Sequence, residues 1–130
     1  AFITIRFVFA GDSLEYLRNY TLPSEIKEGW GLTKRTETVD GIEKEIFYVS
    51  DGTHRIFRVD PDGFKVLGTG YVNFIIYMSG YLMAGSKDFY EGKPLDQLNE
   101  LEFVNGKLWA NVYLTNNVAV IDLNTTTVER

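Results

Sequence analysis

Apolar and polar residues alternate with a period of two along most of the chain, which is typical of strands that bury one face of a sheet. The alternation predicts strands at residues 2–9, 45–50, 54–60, 64–68, 107–115 and 117–122. Turn sequences such as SDGT, DPDG and VNG separate them, and Asp-Gly and Asn-Gly pairs supply the positive backbone torsions that tight hairpins need. Because no convincing long helical pattern interrupts the strands, we predict an all-β meander.

The strands recur as a unit. The segment EIFYVSDGTHRIFRVDPDGFKV aligns with KLWANVYLTNNVAVIDLNTTTV when Asp60 is matched to Asp122, 62 residues later. A weaker third copy, FVFAGDSLEYLRNY, precedes both. Since a four-stranded propeller blade takes about 40–45 residues, the spacing predicts an insertion around 70–90. Repeated antiparallel units favour a β-propeller, and residues 1–130 cover about three blades of one domain.

A propeller closes with about four to eight blades, and closure removes its exposed sheet edges. Three blades cannot close, so we expect the chain to be a piece of a larger propeller or one part of a split assembly. Standing alone it would expose sheet edges that invite association.

The composition of the chain argues against some classes of binding partner. A net charge of −5 and a pI near 4.8, with no cluster of Lys or Arg, argue against a nucleic-acid binder. The longest apolar run, at 71–85, is too short and too polar to span a membrane, so no membrane partner is expected. The chain has no cysteine, and two glycosylation sequons at Asn19 and Asn124 leave a secretory or extracellular location open.

The segment LNELEFVNGKLWANVYLTNN, at 98–117, mixes polar and large aromatic residues in a strand pattern. These residues are Asn99, Glu100 and Glu102 near the first strand, and Trp109, Asn111 and Tyr113 in alternation on the next. A sheet that served only packing would favour hydroxyl and β-branched residues at such positions. The pattern therefore indicates a surface that handles a small polar molecule.

Three motifs in a fixed order resemble the plant- and bacterial-type glutaminyl cyclases, also called glutamine cyclotransferases. They are EGWGLT at 28–33, YVSDGTHRIFRVDP at 48–61 and GKPLDQLNELEFVNGKLWANVYLTN at 92–116, and the resemblance covers residues 14–128. It implies a five-bladed propeller that converts the N-terminal glutamine of a peptide or protein to pyroglutamate and releases ammonia. It also implies acyltransferase chemistry that needs no metal and no other cofactor.

The resemblance assigns substrate binding to three positions. Trp30 of the GWGL motif lines the site, Asn99 of LNELE holds the substrate, and Tyr113 stands where the family has Trp, which alters the shape of the pocket. The family's acid/base Glu, in an FGEGL-like motif, and a lysine in a TGK-like segment do not occur in the 130 residues. We expect them before Ala1 and after Arg130, so no catalytic residue is assigned.

The three side chains suit orientation and charge stabilisation. An Asn amide or an indole N–H can donate to a developing oxyanion, and aromatic walls exclude water. Structural alternatives remain open, because Trp30 could fill a gap between blades, Asn99 could bond backbone groups in a turn, and Tyr113 could be core. Glu100 and Glu102 are expected to cap amides or face solvent.

A second class of function also remains open. Fold does not determine activity, and a propeller can serve as a non-catalytic binding scaffold. The substitution at Tyr113 and the absent family Glu motivate this alternative. The single histidine, His54, has no second His or Cys to complete a metal site, so no metal site is predicted.

Overall fold

The computed structural model describes residues 5–74, 93–124 and 127–128, and in these ranges the chain consists of strands, turns and loops without helix. The all-β prediction is confirmed, and the described residues offer no helix that could cross a membrane. The strands are β1 (Ile5–Phe9), β2 (Tyr16–Thr21), β3 (Gly31–Val39), β4 (Ile42–Ser50), β5 (Arg55–Val59), β6 (Val66–Tyr71), β7 (Asn73–Phe74), β8 (Lys93–Pro94), β9 (Leu98–Val104), β10 (Lys107–Val112), β11 (Val118–Asp122) and β12 (Thr127–Val128).

The strands form three sheets. Strands β1 and β2 make a hairpin, and β3 to β6 make a four-stranded antiparallel sheet, here called the first meander. Strands β9 to β12 make the second meander, whose last strand also pairs in parallel with β7. The repeat is visible in the register, because Val59 pairs with Val66 and Ile121 pairs with Val128, each 62 residues on.

The first meander lies between the hairpin and the second meander. Its side toward the hairpin belongs to one core, made of Leu22, Ile26, Val49, Phe57, Val59 and Phe64, with Tyr20 of β2 packed against it. Its other side contributes Ile46, Tyr48 and Ile56 to a larger core with residues of the second meander, including Leu98, Leu101, Leu108, Ala110 and Ile121. Burial of these faces is the main force that stacks the sheets.

Several strand boundaries differ from the prediction. Strand β3 was not predicted, because its polar residues alternate on both faces and mask the apolar period. The sequence did carry a signal for the turn that follows β3, because Asp40-Gly41 forms the two-residue hairpin turn between β3 and β4, with φ 53° and 76°. Strand β6 starts at Val66 instead of 64, because Phe64 is left-handed at φ 52°.

The expected insertion at 70–90 falls largely outside the described residues. Strand β6 continues to Tyr71, and 75–90 lie beyond the described part. On the far side of this tract, Lys93 and Pro94 of β8 pair antiparallel with Phe74 and Asn73 of β7. The two ends of the tract are therefore hydrogen-bonded neighbours.

A charged cluster centred on Glu37 lies at the end of the interface near the β3–β4 turn. The Glu37 carboxylate accepts hydrogen bonds from the Tyr48 hydroxyl and from the guanidinium groups of Arg58 and Arg35. Burial alone would raise the pKa of Glu37, but the hydrogen bonds from Tyr48 and Arg58 and the two positive charges outweigh it and lower the pKa. Burial and the bond to Glu37 raise the pKa of Tyr48.

Arg35 also lies over the Phe103 ring, 5.0 Å from its centroid, and Tyr48 packs edge-on against the same ring at 4.9 Å. Because Phe103 belongs to β9, the cluster links the two meanders.

We predict that Leu108→Ala lowers the free energy of unfolding by about 2–5 kcal/mol, since Leu108 is fully buried and its loss leaves a cavity. Denaturant unfolding measures the change. The matched control is Leu67→Ala, because Leu67 is 48% exposed and should cost far less. Equal losses in the two variants would contradict the assigned core.

We predict that Glu37→Gln lowers the free energy of unfolding at pH 7 by about 1.5 kcal/mol. This value is at the lower end of the range for hydrogen bonds to charged groups, because both guanidinium groups are partly exposed to solvent. The pKa of Glu37 is lower in the folded protein than its ordinary value of 4.5, so the ionised carboxylate stabilises the folded state above that pH. This stabilisation is lost as the pH falls through the lowered pKa. The difference from the parent should therefore shrink below about pH 4.5. Unfolding midpoints across pH measure it, with the exposed Glu43→Gln as the control.

Candidate functional site

Trp30 precedes β3 and is held by the end of β4. Its backbone N–H donates to the carbonyl of Ser50 at 3.0 Å, and the N–H of Gly31 donates to the Ser50 hydroxyl at the same distance. The half-buried indole lies against Gly52, where an added Cβ would come within 2.5 Å of the ring. Trp30 is therefore fixed by its neighbours on two sides.

A β-bulge places LNELE against this segment. In the β9–β10 register Asn99 pairs with Asn111 and Glu102 with Trp109, so two residues of β9 stand opposite Ala110 alone. One of these two, Glu100, adopts the left-handed conformation at φ 49°. A bulge of this kind bends the strand and redirects its side chains.

Gly31 packs directly on the bulge. A Cβ at Gly31 would lie 2.8 Å from the backbone nitrogen of Glu100 and 2.9 Å from that of Leu101. Only a residue without a side chain allows β3 to approach β9 so closely. The EGWGLT and LNELE motifs, distant in sequence, therefore meet backbone to backbone.

Tyr113 completes an aromatic pair with Trp30. The ring centroids are 5.3 Å apart at an interplanar angle of 79°, an edge-to-face contact. Strand β10 ends at Val112 instead of at 115 as predicted, and Tyr113 begins a turn in which Leu114 has φ 63°. The Tyr113 side chain is 49% exposed, so the core alternative does not hold.

Asn99 lies in the same region. It is partly buried and shares with Tyr113 and Asn111 the lining of an open pocket of about 320 Å³. Trp30 contacts Tyr113 and also lines a separate, mainly apolar pocket of about 450 Å³ toward the hairpin. Tyr113 therefore contacts Trp30 and shares a pocket with Asn99, whereas Trp30 and Asn99 line different pockets.

A larger pocket of about 740 Å³ lies between the hairpin and the first meander and includes none of the three residues in its lining. Its volume reflects the gap beside the two-stranded sheet. Size alone therefore does not identify the functional site.

The hydrogen-bond partner of the Trp30 indole was not predicted from the sequence. The Trp30 Nε1–H donates to the Glu28 carboxylate at 2.9 Å, so this N–H is already engaged and is not directed at an oxyanion. The available signal was a carboxylate two residues before Trp in EGWGLT. Of the donors considered from sequence, the Asn99 amide remains.

Glu100 and Glu102 are exposed, which agrees with the expectation that they cap amides or face solvent. His54 Nδ1 lies 3.0 Å from Asp96 Oδ1, and its backbone N–H donates to the same oxygen. Within 5–74, 93–124 and 127–128, no group of three or more His, Asp or Glu side chains is arranged to hold a metal ion.

Comparison with known proteins relates the chain to one family of enzymes. The glutamine cyclotransferase family pattern matches residues 84–130. The chain is 32% identical over 96 residues to the glutaminyl-peptide cyclotransferase of Arabidopsis thaliana, a match that covers 74% of this chain. The crystal structure of Myxococcus xanthus glutaminyl cyclase matches 95% of this chain with a TM-score of 0.69 and 27% identity. The chain is related to the glutamine cyclotransferases.

This confirms the family resemblance predicted from the three motifs. The chain spans only part of its relatives, 22% of the Arabidopsis protein and 42% of the Myxococcus chain. All three motifs meet in space, because Gly31 of the first packs on the bulge of the third, and Ser50 and Gly52 of the second contact the segment that carries Trp30.

We predict that Gly31→Ala destabilises the protein by about 1–3 kcal/mol, because its Cβ would overlap backbone atoms that cannot rotate away. Chemical denaturation measures the loss. Gly11→Ala is the matched control, since its Cβ meets nothing within 4 Å. A Gly31→Ala protein as stable as the control would show that β3 and β9 are not in backbone contact.

Proposed function

We propose that the chain is part of a glutaminyl-peptide cyclotransferase, which converts an N-terminal glutamine to pyroglutamate with release of ammonia. The observation that carries the proposal is the contact of Gly31 with the β9 bulge, which joins the Trp30 and Asn99 motifs. The contact between Trp30 and Tyr113 adds an aromatic wall. The relationship to the glutamine cyclotransferases supports the same conclusion.

The reaction sets specific requirements. The neutral α-amine of glutamine attacks its own side-chain amide carbon and gives up one proton. The amide nitrogen takes up a proton as its bond to that carbon breaks, and it leaves as ammonia. Because the attack is intramolecular, holding the glutamine folded back on itself lowers much of the barrier. Rigid rings suit this task, and we assign Trp30 and Tyr113 to it.

We assign Asn99 to the substrate carbonyl. Its amide can donate a hydrogen bond to the oxygen that becomes negative as the amine attacks. Neither Asn99 nor the two rings can move a proton near neutral pH. The resemblance gives that role to a Glu of an FGEGL-like motif, which is not among the 130 residues, so the chain contributes substrate-binding residues to the site. Independence from metal stays a prediction of the resemblance.

We further propose that the hairpin and the two meanders are consecutive blades of one propeller domain. Their stacking in sequence order and the equivalent pairs at Val66 and Val128 support it. The five blades of the family would then require sheets beyond the three described.

We predict that Asn99→Ala in the full-length protein lowers kcat for ammonia release from a Gln-initiated peptide by about 100- to 1000-fold, the usual cost of one oxyanion donor. A coupled ammonia assay measures the rate. Asn19→Ala, an exposed amide on the hairpin, is the control and should keep the parent rate.

An unchanged rate in Asn99→Ala would remove this residue from the mechanism. No ammonia release by the parent protein would contradict the enzymatic proposal and favour the binding-scaffold alternative.

A further inference from the structure

The turn at Ser50–Thr53, here called the 50–53 turn, contacts the Trp30 ring and is linked to the backbone of Tyr113 through one residue. Gly52 has φ 81°, and a Cβ there would approach three indole atoms of Trp30 to 2.5, 2.7 and 2.9 Å. The glycine backbone therefore forms the surface on which the indole rests. A side chain at this position would displace the ring.

The same turn reaches Tyr113 through one residue. The carbonyl of Gly52 accepts a hydrogen bond from the Gln97 N–H at 2.8 Å, and the Gln97 carbonyl accepts one from the Tyr113 N–H at 2.9 Å. Gln97 has φ 67°, a conformation that residues with side chains rarely adopt. The two hydrogen bonds use both backbone polar groups of Gln97 and explain why this conformation is held.

The turn is itself fixed from inside. The Asp51 side chain is fully buried and accepts hydrogen bonds from the Thr53 hydroxyl at 2.6 Å and from the Arg55 guanidinium. Ser50 anchors the other side, because its carbonyl and hydroxyl accept from the N–H groups of Trp30 and Gly31. A buried carboxylate that is fully bonded gives the turn a single geometry.

We infer that the 50–53 turn is a positioning element of the site, in which Gly52 seats the indole and Gln97 carries the turn's position to Tyr113. It sets the 5.3 Å separation of the two rings. The inference rests on the proposed function for its effect on glutamine binding. The placement of the rings by the turn does not depend on that function.

The test compares two glycines with the same backbone strain. Gly52 and Gly106 have φ 81° and 79°, but a Cβ at Gly106 meets nothing within 4 Å. Gly52→Ala and Gly106→Ala are made in a Trp109→Phe background, so that Trp30 is the only tryptophan of the 130 residues, and the emission of a matching Trp30→Phe protein is subtracted to remove any tryptophan outside them. Three quantities are measured in the full-length protein: unfolding midpoint, Trp30 fluorescence, and the kinetics of ammonia release from a Gln-initiated peptide.

Both variants should lose stability through backbone strain, and Gly52→Ala should lose more because its Cβ also meets the indole. Gly52→Ala alone should shift the Trp30 emission and lower kcat/KM by about 10- to 100-fold, the scale of a 1 Å misplacement, with a rise in KM. Gly106→Ala should keep the emission and stay within about twofold in kcat/KM, as expected for a site away from the rings. Ser50→Ala, which removes an anchor without a clash, should shift the emission in the same direction if Gly52→Ala fails to fold.

An unchanged Trp30 emission in both Gly52→Ala and Ser50→Ala would overturn the inference, as would an equal kinetic loss in Gly106→Ala. If the full-length protein without any substitution releases no ammonia, the proposed function fails. The fluorescence comparison then still decides whether the turn positions Trp30.

Discussion

The close approach of Gly31 to the β9 bulge is the constraint on which the rest of the site depends. Burial of apolar faces would hold the two meanders together at many relative positions, because the hydrophobic effect is not directional. At Gly31 an added Cβ would lie 2.8 Å from the backbone nitrogen of Glu100, so this close approach selects one of those positions. It sets where Trp30, just before β3, lies relative to Asn99 on β9.

Around that contact, the two ends of the interface are held by different forces. At the site, backbone atoms meet without intervening side chains. At the far end, the carboxylate of Glu37 binds Tyr48, Arg35 and Arg58. The first contact is steric and insensitive to pH, whereas the second requires an ionised carboxylate. The register of the meanders is thus fixed at both ends, by independent means.

The repeat could be predicted from sequence because pairs such as Val59 with Val66 recur in identical spacing. The class and most strands of the two meanders follow from alternation and turn residues. Strand β3 could not be found by alternation, although Asp40-Gly41 marked its turn. The bulge at Glu100 and the link through Gln97 depend on tertiary contacts, so local patterns carry no signal for them. The bond from Trp30 to Glu28 is local, and its signal was the carboxylate two residues before the tryptophan. The resemblance predicted Tyr113 as a substrate-binding residue, but it did not predict that Tyr113 lies in a turn.

The pairing of β7 with β8 has a consequence for variation among related chains. Phe74 and Lys93 are held side by side, so the cost of bringing these two points together is met by the sheet and not by the residues between them. Closure entropy grows only with the logarithm of length, by about 0.6 kcal/mol for each doubling. This position can therefore accept segments of very different length while the site, built from other strands, keeps its geometry.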